Sequence, residues 1–280
     1  NSEVKMKWIQ IGAAWRPVLR AGHADLDGKD EEGQNKIIVN TILAELGRTT
    51  SHPMMKWDGS HNVPAANYRD YAFDAVESLF DQNRSDHRPA EWAAALACDQ
   101  ITQKKGCVED TAFRTMSGQG HQYFLKQMRL LQQSIREEHI HEALFEWKYR
   151  DEKLNLRFEP FEDRRYALRW KSPENDTIKT VWGANRLAAE GLPLYPVFPW
   201  RGKLRTTGFR GSGEDDTFWT WPIWSEFLSV SVVRSTLSLP ALQADKPPRA
   251  ELQPLGIVEV YRTQRITVGK FRAFTPAQAV

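Results

Sequence analysis

Residues 181–234 restrict the fold more than any other stretch, because they combine large aromatic side chains with residues that interrupt helices and strands. Five of the eleven tryptophans lie in this stretch, with glycines, prolines and arginines between them. Glycine and proline at this density favour short elements and loops. Aromatic planes interleaved with guanidinium groups are typical of surfaces that hold a polyanion with stackable bases. A loop-rich core under an irregular sheet would have the same composition, so both interpretations stay open.

The periodicity of apolar residues changes near residue 150. Before this point helical spacing dominates, and beyond it short strands and a terminal hairpin with its turn near Thr263–Gln264 are predicted. The predicted helices include residues 37–46 (ending at Gly47), 65–82, 89–98, 120–136 and 184–190, and the predicted strands include 154–158 and 166–170. We therefore predict an α+β protein with a mostly helical N-terminal lobe (1–150) and a mixed, β-richer C-terminal lobe (151–280). One continuous domain fits the sequence equally well.

Two short segments allow less specific predictions. Residues 4–20 alternate as a strand does, with breaks expected near Gly12 and Pro17. Residues 228–239 form a short apolar run, which periodicity alone assigns to neither strand nor helix.

The charge of the chain is small in total but uneven in distribution. The net charge is +2 at pH 7; residues 1–160 hold 21 Lys and Arg against 24 Asp and Glu, whereas residues 161–280 hold 17 against 12. Most of the basic residues in the second part are arginine, which suits bidentate phosphate contact and stacking better than lysine does. The bias favours a polyanionic partner, although a GC-rich genome would also replace lysine by arginine.

The remaining bulk features point to a cytoplasmic protein without a cofactor or metal. Cys98 and Cys107 are too few for a disulfide framework and do not have zinc-ligand spacing. No apolar run approaches the roughly 20 residues needed to cross a bilayer, and the first residues lack the layout of a signal peptide. We therefore expect no membrane contact.

Three side chains are weak candidates for catalysis. His121 lies in SGQGHQYF at the start of a predicted helix, where exposed N–H groups attract anions. Glu159 and Asp163 lie in FEPFEDRR and could bind a divalent cation, but the adjacent arginines would neutralise them. A capped helix start and a salt-bridged loop explain the same residues. No nucleophile elbow, dinucleotide fingerprint or kinase motif set is present, which favours a binding protein.

The candidates for nucleic-acid contact lie in the second half of the chain. If residues 166–170 form a strand, Arg165 and Arg169 share one face as a basic ladder, although a solvated sheet face would look the same. The candidates for phosphate contact are Arg164, Arg165, Arg169, Arg186, Arg205, Arg210, Arg262, Arg265, Lys270 and Arg272. Candidates for base stacking or partner anchoring are Trp182, Trp219 and Trp221. Asn185 could contact a base edge or cap the helix that follows it.

Four blocks of the sequence resemble a family encoded beside type I CRISPR systems. They are MSGQGHQYFLKQMRLL, RRYALRW, GANRLAAEGLPLYPVFP with LRTTGF, and FWTWPIW followed by VRSTLSLP and YRTQRITVGKF. The resemblance covers about residues 112–272 and is to the I-G (formerly I-U) group, with its extension and large-subunit-like proteins. It implies antiviral DNA targeting by a guide-RNA surveillance complex, whose protein subunits hold the nucleic-acid backbone. It carries over no catalytic residue.

The leading hypothesis is therefore a non-catalytic subunit of a CRISPR type I effector, which binds DNA or RNA through arginine and tryptophan. Its partners would be nucleic acid and the other effector subunits. One alternative is a protein–protein adaptor anchored by the aromatic segment 217–224. Another is a metal-dependent nuclease or nucleotide-processing enzyme that uses His121 with Glu159 or Asp163.

Overall fold

The computed structural model describes residues 4–21, 29–49, 87–102, 108–116, 123–159, 179–211, 213, 216–268 and 271–280. Over these residues the protein is α+β, as predicted, with helices and small antiparallel sheets. The chain divides into two compact units. The terminal unit comprises residues 1–28, 207–266 and 275–280, and the central unit comprises 29–206 and 267–274. The limits of these units differ from those of the lobes at 1–150 and 151–280, which stay a prediction.

Short helices and strands are distributed along the whole of the described chain. The helices are α1 (Glu31–Thr49), α2 (His87–Leu96), α3 (Phe124–Ser134), α4 (Glu137–His141), α5 (Trp182–Glu190), α6 (Val230–Leu237) and α7 (Arg249–Leu252). A π-helical turn (Glu142–Glu146) follows α4, and 3-10 turns cover Leu192–Leu194, Pro240–Gln243 and Gln253–Leu255. The strands are β1 (Val4–Ile11), β2 (Ala14–Ala21), β3 (Ala97–Thr102), β4 (Val108–Asp110), β5 (Asp151–Glu152), β6 (Lys179–Thr180), β7 (Val197–Trp200), β8 (Lys203–Thr206), β9 (Phe209–Arg210), β10 (Phe218–Trp224), β11 (Ile257–Val268), β12 (Phe271–Phe274) and β13 (Gln278–Ala279).

The segment predicted as one interrupted strand is a two-stranded hairpin. β1 and β2 pair antiparallel, from Val4 opposite Ala21 to Ile11 opposite Ala14. Gly12 begins the two-residue turn with a φ of +61°, a conformation that glycine adopts without steric cost and that two-residue hairpins require. The expected break at Pro17 is absent, because Pro17 lies in a two-stranded sheet, where an edge position tolerates the missing N–H group.

Helix α1 continues past Gly47, where the sequence predicts its end. Asp30 caps the helix, since its Oδ1 accepts a hydrogen bond from the Gly33 N–H at 2.9 Å. Val39 and Leu46 on one face of α1 pack with Ile140 of α4 in a buried cluster of the central unit. Burial of such side chains stabilises by about 1.5–3 kcal/mol each, which outweighs the ~1 kcal/mol cost of a helical glycine.

Two other predictions about local structure are wrong. Residues 154–158 are not a regular strand: the Leu156 N–H donates to the Asn185 side chain, and the Leu156 carbonyl accepts from the Thr115 hydroxyl. The turn predicted near Thr263–Gln264 is absent, because both residues lie inside β11. The apolar run 228–239, which the sequence left open between strand and helix, contains helix α6. The predicted helix 65–82 and strand 166–170 lie outside the described residues.

In the terminal unit a sheet of β9, β10 and β11, with β13 on β11, supports the hairpin. Its core contains Leu242, Leu252, Ile257 and Val260. Trp224 at the end of β10 donates from Nε1 to the Met6 carbonyl at 2.8 Å and contacts Trp8 edge-on at 6.1 Å between ring centroids. One face of the hairpin is thereby fixed to the sheet. None of the described helices combines the length and apolarity needed to cross a bilayer.

Candidate nucleic-acid interface

The hairpin of β1 and β2 carries four basic residues and no acidic residue. Lys5 lies opposite Arg20, Lys7 lies two residues further along β1, and Ile9 lies opposite Arg16. Because side chains of a strand alternate between its two sides, all four cations lie on one side of the hairpin. We call Lys5, Lys7, Arg16 and Arg20 the basic face. Lys5 and Arg20 lie directly opposite each other, a position in which like charges destabilise a sheet.

Phe227 lies against the basic face. The Lys7 Nζ is 4.8 Å from the centre of the ring, and the Arg20 Cζ is 4.2 Å from it. The next residue, Leu228, exchanges two backbone hydrogen bonds of 3.0 Å with Met6, which fixes the segment beside β1. Cation–π contact orients the two cations without neutralising them, so they keep their charge for an external ligand.

Three of the four cations of the basic face have no ion pair within the described residues. In that part of the chain no carboxylate forms an ion pair with Lys7, Arg16 or Arg20, whereas Lys5 has a further interaction of its own. Arg16 and Arg20 are exposed, and Lys7 is half-buried. The central unit contains a different case, because there the exposed Arg150 is 2.8 Å from the buried carboxylate of Glu142. Cations such as Lys7, Arg16 and Arg20 favour association with a polyanion.

Two of the predicted phosphate contacts hold the terminal unit together instead. Arg262 is 7% exposed; its Nε donates to the Thr220 hydroxyl at 3.0 Å, and its other N–H groups donate to carbonyl oxygens of segment 242–245 at 2.7–3.1 Å. Arg210 binds the same segment through a carbonyl at 3.2 Å and the Asp245 carboxylate at 2.5 Å. Burial lowers the pKa of the Arg262 guanidinium, and the neighbouring Arg210 lowers it further. These contacts use four of the five N–H groups of the buried guanidinium, so Arg262 connects parts of the terminal unit.

The other predicted phosphate contacts lie in one or the other unit or outside the described residues. Arg186 is 1% exposed and forms an ion pair with Glu190 one helical turn away. Arg205 and Arg272 are half-buried in the central unit, and Arg265 is 9% exposed in the terminal unit. Arg164, Arg165, Arg169 and Lys270 lie outside the described residues. Within the described part, the basic face is therefore a better phosphate-binding candidate than these arginines.

Trp182 serves packing in the central unit. Its ring stacks on His139 with 5.3 Å between centroids and 28° between planes, and its Nε1 donates to the Glu152 carbonyl at 3.1 Å. Gly183 permits this contact, since a Cβ there would come within 2.0 Å of the His139 carbonyl oxygen. The Trp182 ring face turned to His139 is thus occupied within the protein.

Trp219 and Trp221 belong to a row of rings on one side of the terminal-unit sheet. We call Phe209, Trp219, Trp221 and Tyr261 the aromatic row. Phe209 and Trp219 are 6.3 Å apart at 13°, the two tryptophans are 4.5 Å apart, and Trp221 and Tyr261 are 6.1 Å apart at 19°. All four are half-buried. Because the rings cover each other in succession, the row offers edges more readily than open faces for a base.

Asn185 and Glu159 belong to one polar network of the central unit. Asn185 is 3% exposed; its Oδ1 accepts from the Leu156 N–H at 2.8 Å, and its Nδ2 donates to Thr180 Oγ1 at 2.8 Å and Glu159 Oε1 at 3.1 Å. Asn185 does not cap α5, because Val181 holds that position. Its amide is used to connect three chain segments, which is why the irregular 154–158 segment lies against α5.

Only Glu159 of the three candidate catalytic residues lies in the described part of the chain. His121 and Asp163 lie outside the described residues, and the Glu159 carboxylate accepts hydrogen bonds from Thr180 and Asn185. The described residues contain no group of three or more His, Cys, Asp or Glu side chains placed to hold a metal ion.

The basic face is absent from the candidates that the sequence provides. The pattern that could have indicated it is spacing: Lys5 and Lys7 are two residues apart and Arg16 and Arg20 are four apart, so each pair lies on one side of its strand. This pattern predicts a shared face only if Gly12 is assigned to a two-residue turn. That turn sets the register and brings both pairs to one side. No family model matches the chain, and neither a curated protein nor a solved structure is significantly similar to it.

Proposed function

We propose that the protein binds nucleic acid without catalysis and holds its phosphate backbone on the basic face. The observation that carries the proposal is the presence of four cations on one side of a hairpin that contains no carboxylate. Each lysine or arginine that neutralises a phosphate releases condensed counterions, and this release supplies most of the affinity of sequence-independent binding.

Fixed geometry supports the proposal further. Phe227 orients Lys7 and Arg20, and the opposite side of the hairpin is anchored by Trp224. Cations held in place before binding lose less conformational entropy when the ligand arrives.

A salt-dependent titration with a fluorescent oligonucleotide tests this proposal. For Arg16→Gln and Arg20→Gln we expect weaker binding and a slope of log K against log salt that is smaller by about 0.7–0.9 for each lost phosphate contact. The matched control is Arg249→Gln, because Arg249 is an exposed arginine of the same unit whose partner is Glu259 at 2.7 Å. The proposal fails if the wild-type protein has no affinity at low salt, or if the hairpin variants behave as the control does.

We extend the proposal to a cytoplasmic CRISPR type I effector, in which the protein would contact DNA or guide RNA beside other subunits. The support is the resemblance of residues 112–272 and the basic face itself. Co-purification with effector subunits tests this setting, and Arg16→Gln should reduce bound nucleic acid but keep the subunits together. Release of the protein from the complex by Trp219→Ala, with nucleic-acid affinity unchanged, would favour the adaptor hypothesis instead.

A further inference from the structure

We propose that the tip of the hairpin, residues 11–14, inserts as an apolar wedge between stacked base pairs of the nucleic acid that the basic face holds. This inference rests on the proposed function and narrows the ligand class to a duplex. Base unstacking and salt-dependent binding are measured separately. A negative result for the wedge is therefore distinguishable from a negative result for nucleic-acid binding.

The tip is apolar, narrow and exposed. Ile11 is 59% exposed, and Gly12, Ala13 and Ala14 are exposed beside it. None of the last three has a side chain larger than a methyl group, and a Cβ added at Gly12 would have no atom within 4 Å. Isoleucine is among the side chains that proteins insert between base steps. The small residues beside Ile11 keep the tip narrow where it would meet a base step.

The base of the hairpin is held firmly while the tip extends beyond it. Met6 exchanges backbone hydrogen bonds with Leu228, and Trp8 contacts Trp224. Ile11 lies three residues beyond Trp8, which is about 10 Å along an antiparallel strand. Because the start of the hairpin is fixed, its tip is already ordered before binding. Insertion between stacked nucleobases therefore needs no further ordering of the chain.

Cations follow the hairpin from its base towards this tip. The Lys5–Arg20 pair, Lys7 and Arg16 lie in three successive rows, each about 7 Å from the next on a strand that rises ~3.4 Å per residue. The tip contains no carboxylate that phosphates would repel. Phosphate contacts along the rows would therefore fix the duplex, and the tip would reach its base stack.

The test uses a short DNA duplex with 2-aminopurine at one central base step, because the fluorescence of 2-aminopurine rises when it is unstacked. We expect the wild-type protein to raise the fluorescence and Ile11→Ala to lose this rise. The salt slope of Ile11→Ala should stay unchanged, because the variant loses no phosphate contact. Ile11→Phe should keep the rise. The control is Val230→Ala, since Val230 is 57% exposed on α6 of the same unit.

Each outcome has a defined meaning. Salt-dependent duplex binding by the wild type without a fluorescence rise overturns the wedge and leaves the proposed function in place. A rise that Ile11→Ala retains also overturns it. Absence of any duplex binding overturns both proposals. Ile11-dependent binding to phosphatidylserine vesicles, with no unstacking of the duplex, would assign the tip to a lipid surface instead.

Discussion

Trp147 holds a backbone conformation that suits glycine better than any side chain with a Cβ. It ends the π-helical turn with a φ of 52°, and its N–H donates to the Glu142 carbonyl at 2.6 Å. A left-handed residue with a Cβ costs about 1–2 kcal/mol. We expect the free energy of unfolding of Trp147→Gly to be about 1 kcal/mol higher than that of Trp147→Ala. Inside a helix the order is the reverse, because there alanine is the more stable of the two residues. Urea denaturation of the two variants measures this difference; greater stability of the alanine variant would contradict it.

Two glycines in helices should respond in opposite directions to substitution by alanine. At Gly183 the new Cβ would meet the His139 carbonyl, which is backbone and cannot move aside, whereas at Gly47 it would meet nothing within 4 Å. We expect Gly183→Ala to lower the free energy of unfolding by about 3 kcal/mol and Gly47→Ala to raise it by about 1 kcal/mol. Thermal unfolding with circular dichroism would show both changes. If Gly183→Ala matched the wild type, α4 and α5 would pack less closely than this contact requires.

Single arginines show that the sequence does not predict which acceptors a side chain contacts. The sequence predicts Arg186 and Arg262 as phosphate contacts, because residue type and spacing say nothing of the acceptors that surround a side chain in the fold. Arg186 finds Glu190 on its own helix, and Arg262 finds carbonyl oxygens about twenty residues earlier in the chain. Only the folded chain distinguishes an arginine that binds phosphate from one that closes a loop.

At the scale of elements, Arg262 fixes segment 242–245 against the sheet of β10 and β11. Its substitution by methionine would leave the Thr220 hydroxyl and several buried carbonyl groups without their donor, and each such loss costs about 1–3 kcal/mol. We expect Arg262→Met to lower the free energy of unfolding by roughly 3 kcal/mol. The salt slope of nucleic-acid binding by the folded variant should equal that of the wild type. A smaller slope of log K against log salt in this variant would indicate that Arg262 contacts phosphate after all.

Element prediction succeeds where a pattern is local and fails where a distant strand decides it. The apolar stripe of α1 is visible in sequence, because its period reflects one buried face. The continuity of β11 through Thr263 and Gln264 is set by pairing with Trp219 and Phe218. Those partners lie more than forty residues away, so the local residues alone are compatible with a turn. The hairpin escapes prediction for a related reason, because Gly12 is equally typical of an interrupted strand.

At the scale of the whole molecule, ligand binding should raise stability by mass action. A duplex at a hundred times its Kd that binds only the folded protein adds about 2.7 kcal/mol to the free energy of unfolding. We expect the Tm of the wild type and of Arg249→Gln to rise when the duplex is added at low salt. The Tm of Arg16→Gln and Arg20→Gln should rise less. Equal increases in all four proteins would place the binding site away from the hairpin.

The division into two units could not be derived from the sequence. The α+β class follows from local periodicity, but the terminal unit joins residues more than two hundred positions apart, such as Met6 and Leu228. No composition change marks such a pairing, and the change near residue 150 reflects local element type. Composition therefore directs attention to the arginine-rich second half, although Lys7, Arg16 and Arg20, which have no ion pair within the described residues, lie in the first strand pair.

The contact of the hairpin with Trp224 in the terminal unit also sets an order for folding during synthesis. The hairpin leaves the ribosome more than two hundred residues before Trp224, the side chain that covers it. At 5–20 residues per second, Met6 and Trp8 wait about 10–40 s for their partners. Over that interval a nascent chain would expose the apolar side of the hairpin, which contains Trp8, and exposed apolar surface is what chaperones bind. A chain whose translation halted before β10 would lack Trp224, so the hairpin would have no packing partner there.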